Sequence, residues 1–202
     1  MRFACFHSAS DLQCNAAAMA LLCLASFAVS ARSGDSAATF YVGRISSVNA
    51  WHDLITAPAD AEFVDAYVAV AALSHELGRY HHGHLSVDAE GQVGYNFGDQ
   101  SHWEFNVAAG PRWSEFPWNE TIATTAAFQL GLSLASETPE VEVELEGDSQ
   151  NLLIYWSAEV TLGPPHGAWA MLLRLHHRSS GFGLLADDGG VNAVALGLRR
   201  VF

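Results

Sequence analysis

Between residues 85 and 107 the polarity of the chain changes at almost every step, and few folds accept that rhythm. In "LSVDAEGQVGYNF" (85–97), Leu85, Val87, Ala89, Val93, Tyr95 and Phe97 alternate with Ser86, Asp88, Glu90, Gln92 and Asn96. After "GDQS", "HWEFNVA" continues with Trp103, Phe105 and Val107 on one face and His102, Glu104 and Asn106 on the other. Successive side chains of a strand point to opposite faces, so two period-two runs joined by a tight turn predict a hairpin. The same rhythm predicts strands over 39–46, 62–77, 121–135, 151–162, 167–179 and 191–202, eight in all.

An apolar face opposite one that carries Asp, Glu, Gln and Asn has two solutions. A soluble periplasmic sandwich buries the apolar side, whereas a membrane barrel turns it to lipid and fills its interior with the polar side. The strands have about the 9–11 residues that a tilted strand needs to cross a bilayer. Tyr95, Phe97, Trp103, Trp156 and Trp169 lie towards strand ends on the apolar face, as an interfacial girdle does. The closing strand sets Val194, Leu196, Leu198 and Phe202 on one face, with Arg200 interrupting it. These features predict an all-β chain, an eight-stranded antiparallel transmembrane β-barrel. With the amino end in the periplasm, "GRYHHGH", "RWSEFPWNE" and "GPPH" become periplasmic connections, while "GDQS", "SETPEVEVELEGD" and "GFGLLADDGG" lie outside.

The barrel is expected to follow a leader. "NAAAMALLCLASFAVSA" (15–31) is short for a membrane helix and ends in small residues, which predicts a cleavable signal peptide over 1–31 and a mature barrel over 32–202. A buried amino-terminal helix and a lipoprotein signal at Cys23 are the alternatives. All three cysteines (Cys5, Cys14, Cys23) fall in this segment, leaving the mature chain without thiols for disulfides or thiolate metal sites. There is no lysine and the formal charge is −13, which argues against nucleic acid as a partner. The acidic stretch at 136–148 reads as a solvated loop in preference to a cation-binding surface.

The reactive groups concentrate in "RLHHRSSGFGL" (174–184). Trp169, Met171, Leu173 and Leu175 share the lipid-facing parity of their strand, and His177 and Ser179 continue it upward. Arg174, His176 and Arg178 take the luminal parity, where Glu104, Glu159 and Arg174 are expected to form a structural polar network. Residues i and i+2 lie roughly 7 Å apart on one side of a strand. A neutral imidazole at that spacing can take the proton of a serine hydroxyl and activate it as a nucleophile. Beside an apolar wall in the outer leaflet, the natural substrate of such a pair is a lipid ester. A polar boundary without chemistry is the alternative. Metal binding is disfavoured, because adjacent histidines point to opposite faces and no cysteine can assist.

The H-x-S at the top of strand seven, a Gly-rich outer loop and a last strand ending in Phe resemble the lipid A 3-O-deacylases, the PagL family of outer-membrane barrels. The likeness is most specific over 167–202. It implies a metal-free and cofactor-free serine esterase in the outer membrane of a Gram-negative bacterium, with Ser179 as nucleophile, His177 as base and lipid A (lipopolysaccharide) as substrate. Two departures stand out. The family commonly reads H-x-S-N-A, where this chain has Ser180 and Gly181, and its acid near the start of the last strand corresponds by parity to Asn192. Asn192 is the expected orienting residue, with Asp187 or Asp188 as substitutes. Trp169, Met171, Leu173, Leu175, Ser180 and Gly181 are expected to receive substrate. The alternative function is a non-catalytic barrel, monomer or homodimer, that binds lipopolysaccharide or serves adhesion.

Overall fold

The computed structural model describes residues 36–47, 51–57, 59 and 61–202. The expected signal peptide and its cleavage point near Ala31 lie outside the described residues. Eight strands follow in order: β1 Ser36–Ser46, β2 Phe63–Tyr80, β3 Leu85–Gly98, β4 His102–Trp113, β5 Ala123–Ala135, β6 Leu152–Gly163, β7 Trp169–Ser179 and β8 Asn192–Val201. A short helix α1, Trp51–Thr56, sits between β1 and β2, and a second, α2, Glu140–Glu146, between β5 and β6.

Each strand pairs antiparallel with its sequence neighbour, and β1 closes the ring on β8. Thr39, for example, faces Ala72 on one side and Arg199 on the other. Closure leaves no unpaired strand edge, and it rules out the open two-sheet sandwich. Among the described residues no helix is long and apolar enough to cross a membrane.

The wall has the polarity of a protein dissolved in lipid. Outward positions are large and apolar, and they stay open: Val107 is 63% and Met171 67% exposed. Inward positions carry Asp88, Glu90, Gln92, Glu104, Asn106, Glu159 and Arg174, all buried. In water this arrangement would leave a wide apolar belt exposed; in a bilayer the belt is solvated and the polar groups satisfy one another. The chain is thus a transmembrane barrel.

Burying an unpaired ion costs several kcal/mol, so the lumen must balance its charges. Arg174 donates to Glu90 Oε1 at 2.7 Å and through Nε to Glu159 Oε2 at 2.9 Å. Arg112 binds Asp88 at 2.8 Å and Glu159 Oε1 at 2.9 Å. Glu104 faces His176 Nε2 at 2.9 Å and takes Asn106 Nδ2 at 2.7 Å. The expected network of Glu104, Glu159 and Arg174 is therefore present, extended by Glu90, Asp88 and Arg112.

The acidic stretch departs from the solvated loop expected of it. Residues 140–146 form α2, which ends on Gly147 in the left-handed region (φ 88°) with its amide bonded to Val143 O. Val141 packs with Ile45, Val68, Val70 and Val191 at the mouth of the lumen. Glu142 is buried and binds Arg178 Nε at 2.7 Å. The physical reason lies across the barrel: Arg178 turns inward at the top of β7, where its charge requires a counterion, and α2 delivers one.

Candidate active site on the outer wall

Strand register assembles a lateral row at the outer end of the barrel. Trp156 pairs with His177, His177 with Asn192, and Asn192 with Ser46. All four share the outward parity of their strands. His177 Nδ1 lies 2.7 Å from Asn192 Oδ1, and Asn192 is fully buried. An amide oxygen only accepts, so the proton of this bond sits on Nδ1 and the Nε2 lone pair remains as a base.

His177 points outward, yet it is only 7% exposed. The Trp156 ring covers it at 4.5 Å between centroids. Trp156 in turn stacks on Phe128 and meets Trp51 of α1 edge-on at 5.5 Å. The Trp156 ring thus covers the imidazole on the outward face of the wall, and Phe128 and Trp51 buttress that ring. Sequence reasoning placed Trp156 on the lipid face but did not connect it with His177. It had no signal for Trp51, because cross-strand register and loop course are tertiary properties.

Ser179 is the next outward residue of β7, half-buried and paired with Ile154. Among the described residues no hydrogen bond joins its hydroxyl to His177. Below the histidine, Trp169, Met171 and Leu173 form an exposed apolar stripe that Leu175, half-buried, continues upward. The stripe lies where acyl chains would run beside the two polar groups.

The outer turn after Ser179 is held by its backbone. Ser180 N donates to Gly189 O at 3.1 Å, and Leu185 N to Ser180 O at 3.0 Å. The Ser180 amide is thereby committed, while none of these bonds uses the Gly181 amide. Gly181 has φ 67°, and a Cβ there would come within 2.7 Å of Ile154, the cross-strand partner of Ser179. Only glycine fits beside the serine without displacing that contact.

Asp187 and Asp188 are exposed in this turn, and Asp188 accepts the Gly189 amide at 3.0 Å. The Glu146 carboxyl is held above its ordinary value, first by burial and then by the charges of Asp188 and Glu142. The side chain joined to the His177 ring is Asn192.

No family model matches the sequence, and no curated protein is similar to it by sequence. Solved structures are similar in fold. The outer membrane enzyme PagL superposes with a TM-score of 0.56 at 12% identity, over 81% of this chain and 98% of that one. Neisserial surface protein A (NspA) superposes with a TM-score of 0.50 at 8% identity, over 84% of this chain and 98% of that one. At such identities the likeness shows the eight-stranded outer-membrane barrel fold alone. One neighbour is an enzyme and the other a surface protein, so chemistry has to be argued from side chains.

Proposed function

We propose that the chain is an outer-membrane lipid A 3-O-deacylase of a Gram-negative bacterium, exported by a leader over residues 1–31. It works as a serine esterase with Ser179 as nucleophile, His177 as base and Asn192 as the group that orients the imidazole. The observation that carries this reading is the 2.7 Å bond from His177 to Asn192 on the lipid-facing side of the wall, one outward step below Ser179. A histidine that merely marked a polar boundary would have no need of a fully buried amide on Nδ1 or an aromatic cover.

In the first half-reaction, His177 Nε2 takes the Ser179 proton as Oγ bonds to the acyl carbonyl carbon. The imidazolium then gives that proton to the sugar 3-oxygen as the ester bond breaks, leaving acyl-Ser179. In the second, water loses a proton to His177 and attacks the acyl carbon, and the returning proton restores Ser179 as the fatty acid leaves. The Gly181 amide, which none of the turn's backbone bonds uses, is the donor we assign to the developing oxyanion. Asn192 holds the ring and its tautomer but stabilises imidazolium less than a carboxylate would.

The test is the mass of lipid A from cells that express the protein. The expected result is loss of one 3-hydroxyacyl chain, abolished by Ser179→Ala and by His177→Ala. An unchanged lipid A mass with folded barrel in the membrane would sink the esterase. It would leave the second reading, a non-catalytic barrel that binds lipopolysaccharide or serves adhesion. The specific observation on that side is the missing hydrogen bond between Ser179 and His177.

A further inference from the structure

Among the described residues the basic side chains are all arginines, and five of the seven (Arg79, Arg112, Arg174, Arg178 and Arg199) lie at the lower rim or in the lumen. Arg200 is on the outer wall at its lower end, beside Trp169. Among the described residues the upper outer wall has one guanidinium, Arg44.

Its geometry is specific. Arg44 starts opposite Tyr67 on β2, but its Nε donates to Val64 O at 2.9 Å. Val64 follows Phe63, the partner of Ser46, and Ser46 belongs to the lateral row of Asn192 and His177. The side chain therefore climbs the wall, as long basic residues do at a membrane boundary, and brings its charge level with His177. Because the guanidinium leans over β2, three strand spacings, roughly 14 Å, separate it from His177 around the wall. The guanidinium rests near the Phe63 and Tyr67 rings, at 5.8 and 5.6 Å from their centroids. The nearby Asp65 accepts the Tyr67 hydroxyl at 2.9 Å, and among the described residues Arg44 makes no ion pair. Its two Nη groups have no hydrogen-bond partner there.

We propose that Arg44 binds the phosphate of an anionic lipid headgroup and thereby docks the lipid whose ester reaches His177 and Ser179. The assignment rests on the esterase reading for the position of the ester. The chemistry follows from the guanidinium itself, whose planar Nη fork matches phosphate oxygens at a height where headgroup phosphates lie. The chain as a whole is acidic, with a formal charge of −13, and among the described residues Arg44 is the guanidinium that this part of the wall offers an anionic headgroup.

The experiment uses the full chain folded in detergent micelles, with Ser179→Ala to stop turnover, and measures binding of bis-phosphorylated and fully dephosphorylated lipid A. We expect the phosphorylated form to bind more tightly. Arg44→Gln should weaken it by about tenfold and leave the dephosphorylated form unchanged, while Arg44→Lys should retain part of the preference as a point charge. Equal binding of the two lipids, or an Arg44→Gln variant that binds both as its parent does, overturns the proposal. Complete competition by excess inorganic phosphate would reassign the site to a free anion and overturn the lipid assignment. Arg44-dependent binding by a barrel that never releases fatty acid would defeat the esterase reading alone. Ser179-dependent release that ignores Arg44 would defeat this one alone.

Discussion

His176 and His177 are neighbours in the chain and live in opposite worlds. His176 turns into the lumen, where Nε2 faces Glu104 at 2.9 Å, Nδ1 meets the Tyr41 hydroxyl at 2.9 Å, and the Tyr155 ring stands edge-on at 5.0 Å. Both of its nitrogens are engaged. His177 turns outward, with Nδ1 on Asn192 and Trp156 over the ring, and Nε2 is left over. A saturated histidine holds a structure together, whereas one satisfied on a single side has capacity for a proton from elsewhere. The contrast extends along β7: Arg174 and Arg178 complete ion pairs within, while on the outside the Ser179 hydroxyl has no hydrogen-bond partner among the described residues.

This contrast can be broken by exchanging what each face loses. The largest effect is expected from Ser179→Ala, which should slow fatty-acid release by about 10⁴-fold or more while leaving the urea unfolding midpoint in place. Release that persists at the parent rate would remove the outward face from the chemistry. Next, Arg174→Met should cost about 3–5 kcal/mol in an unfolding titration, because it removes the arginine paired with Glu90 in a closed interior and leaves Glu159 with Arg112 alone to balance it. Its folded fraction should still turn over normally; a parallel loss of specific activity would mean that the two faces are coupled.

Asn192 sharpens the comparison at the outer face. Asn192→Asp should raise the rate about tenfold by stabilising imidazolium, and Asn192→Ala should lower it by at least as much, since each tenfold corresponds to about 1.4 kcal/mol of barrier. Equal rates in all three would show that the hydrogen bond holds β7 to β8 and nothing more.

The smallest effect concerns the outer cap. The raised Glu146 value means that the folded state binds this proton more tightly than the unfolded chain does. The associated stability is fully present below the unfolded value, about 4.3, and is lost as pH rises through the higher folded value. Glu146→Gln should therefore melt progressively above the parent as pH is raised from 4 to 7. A constant gap would show that neither burial nor the charges of Asp188 and Glu142 raise this carboxyl.

Much of the fold was legible because alternation is a local code. The inward and outward sets of β3, β4, β6 and β7 follow from parity, as does the outward aim of residues 177 and 179. Turn chemistry located the connections to within a few residues. The acidic stretch misled, because composition reads solubility and cannot register that Arg178 awaits a counterion across the lumen. Parity counted back from Phe202 put Asn192 on the outward face, but whether it lay beside His177 depended on the register between β7 and β8. Trp156 and Trp51 belong to the same class of facts: their faces or their types can be read, their neighbours cannot.

The sequence by itself determined the number of strands, which side chains face lipid and which face the lumen, and the spacing of histidine and serine along one strand. It could do so because a strand's side chains alternate whatever surrounds it. Only the closed sheet decided that Trp156, His177, Asn192 and Ser46 form one row, that α2 inserts Glu142 over Arg178, and that Arg44 climbs to the level of His177. Those are relations between strands, created by hydrogen-bond register around a ring, and no segment read alone carries them.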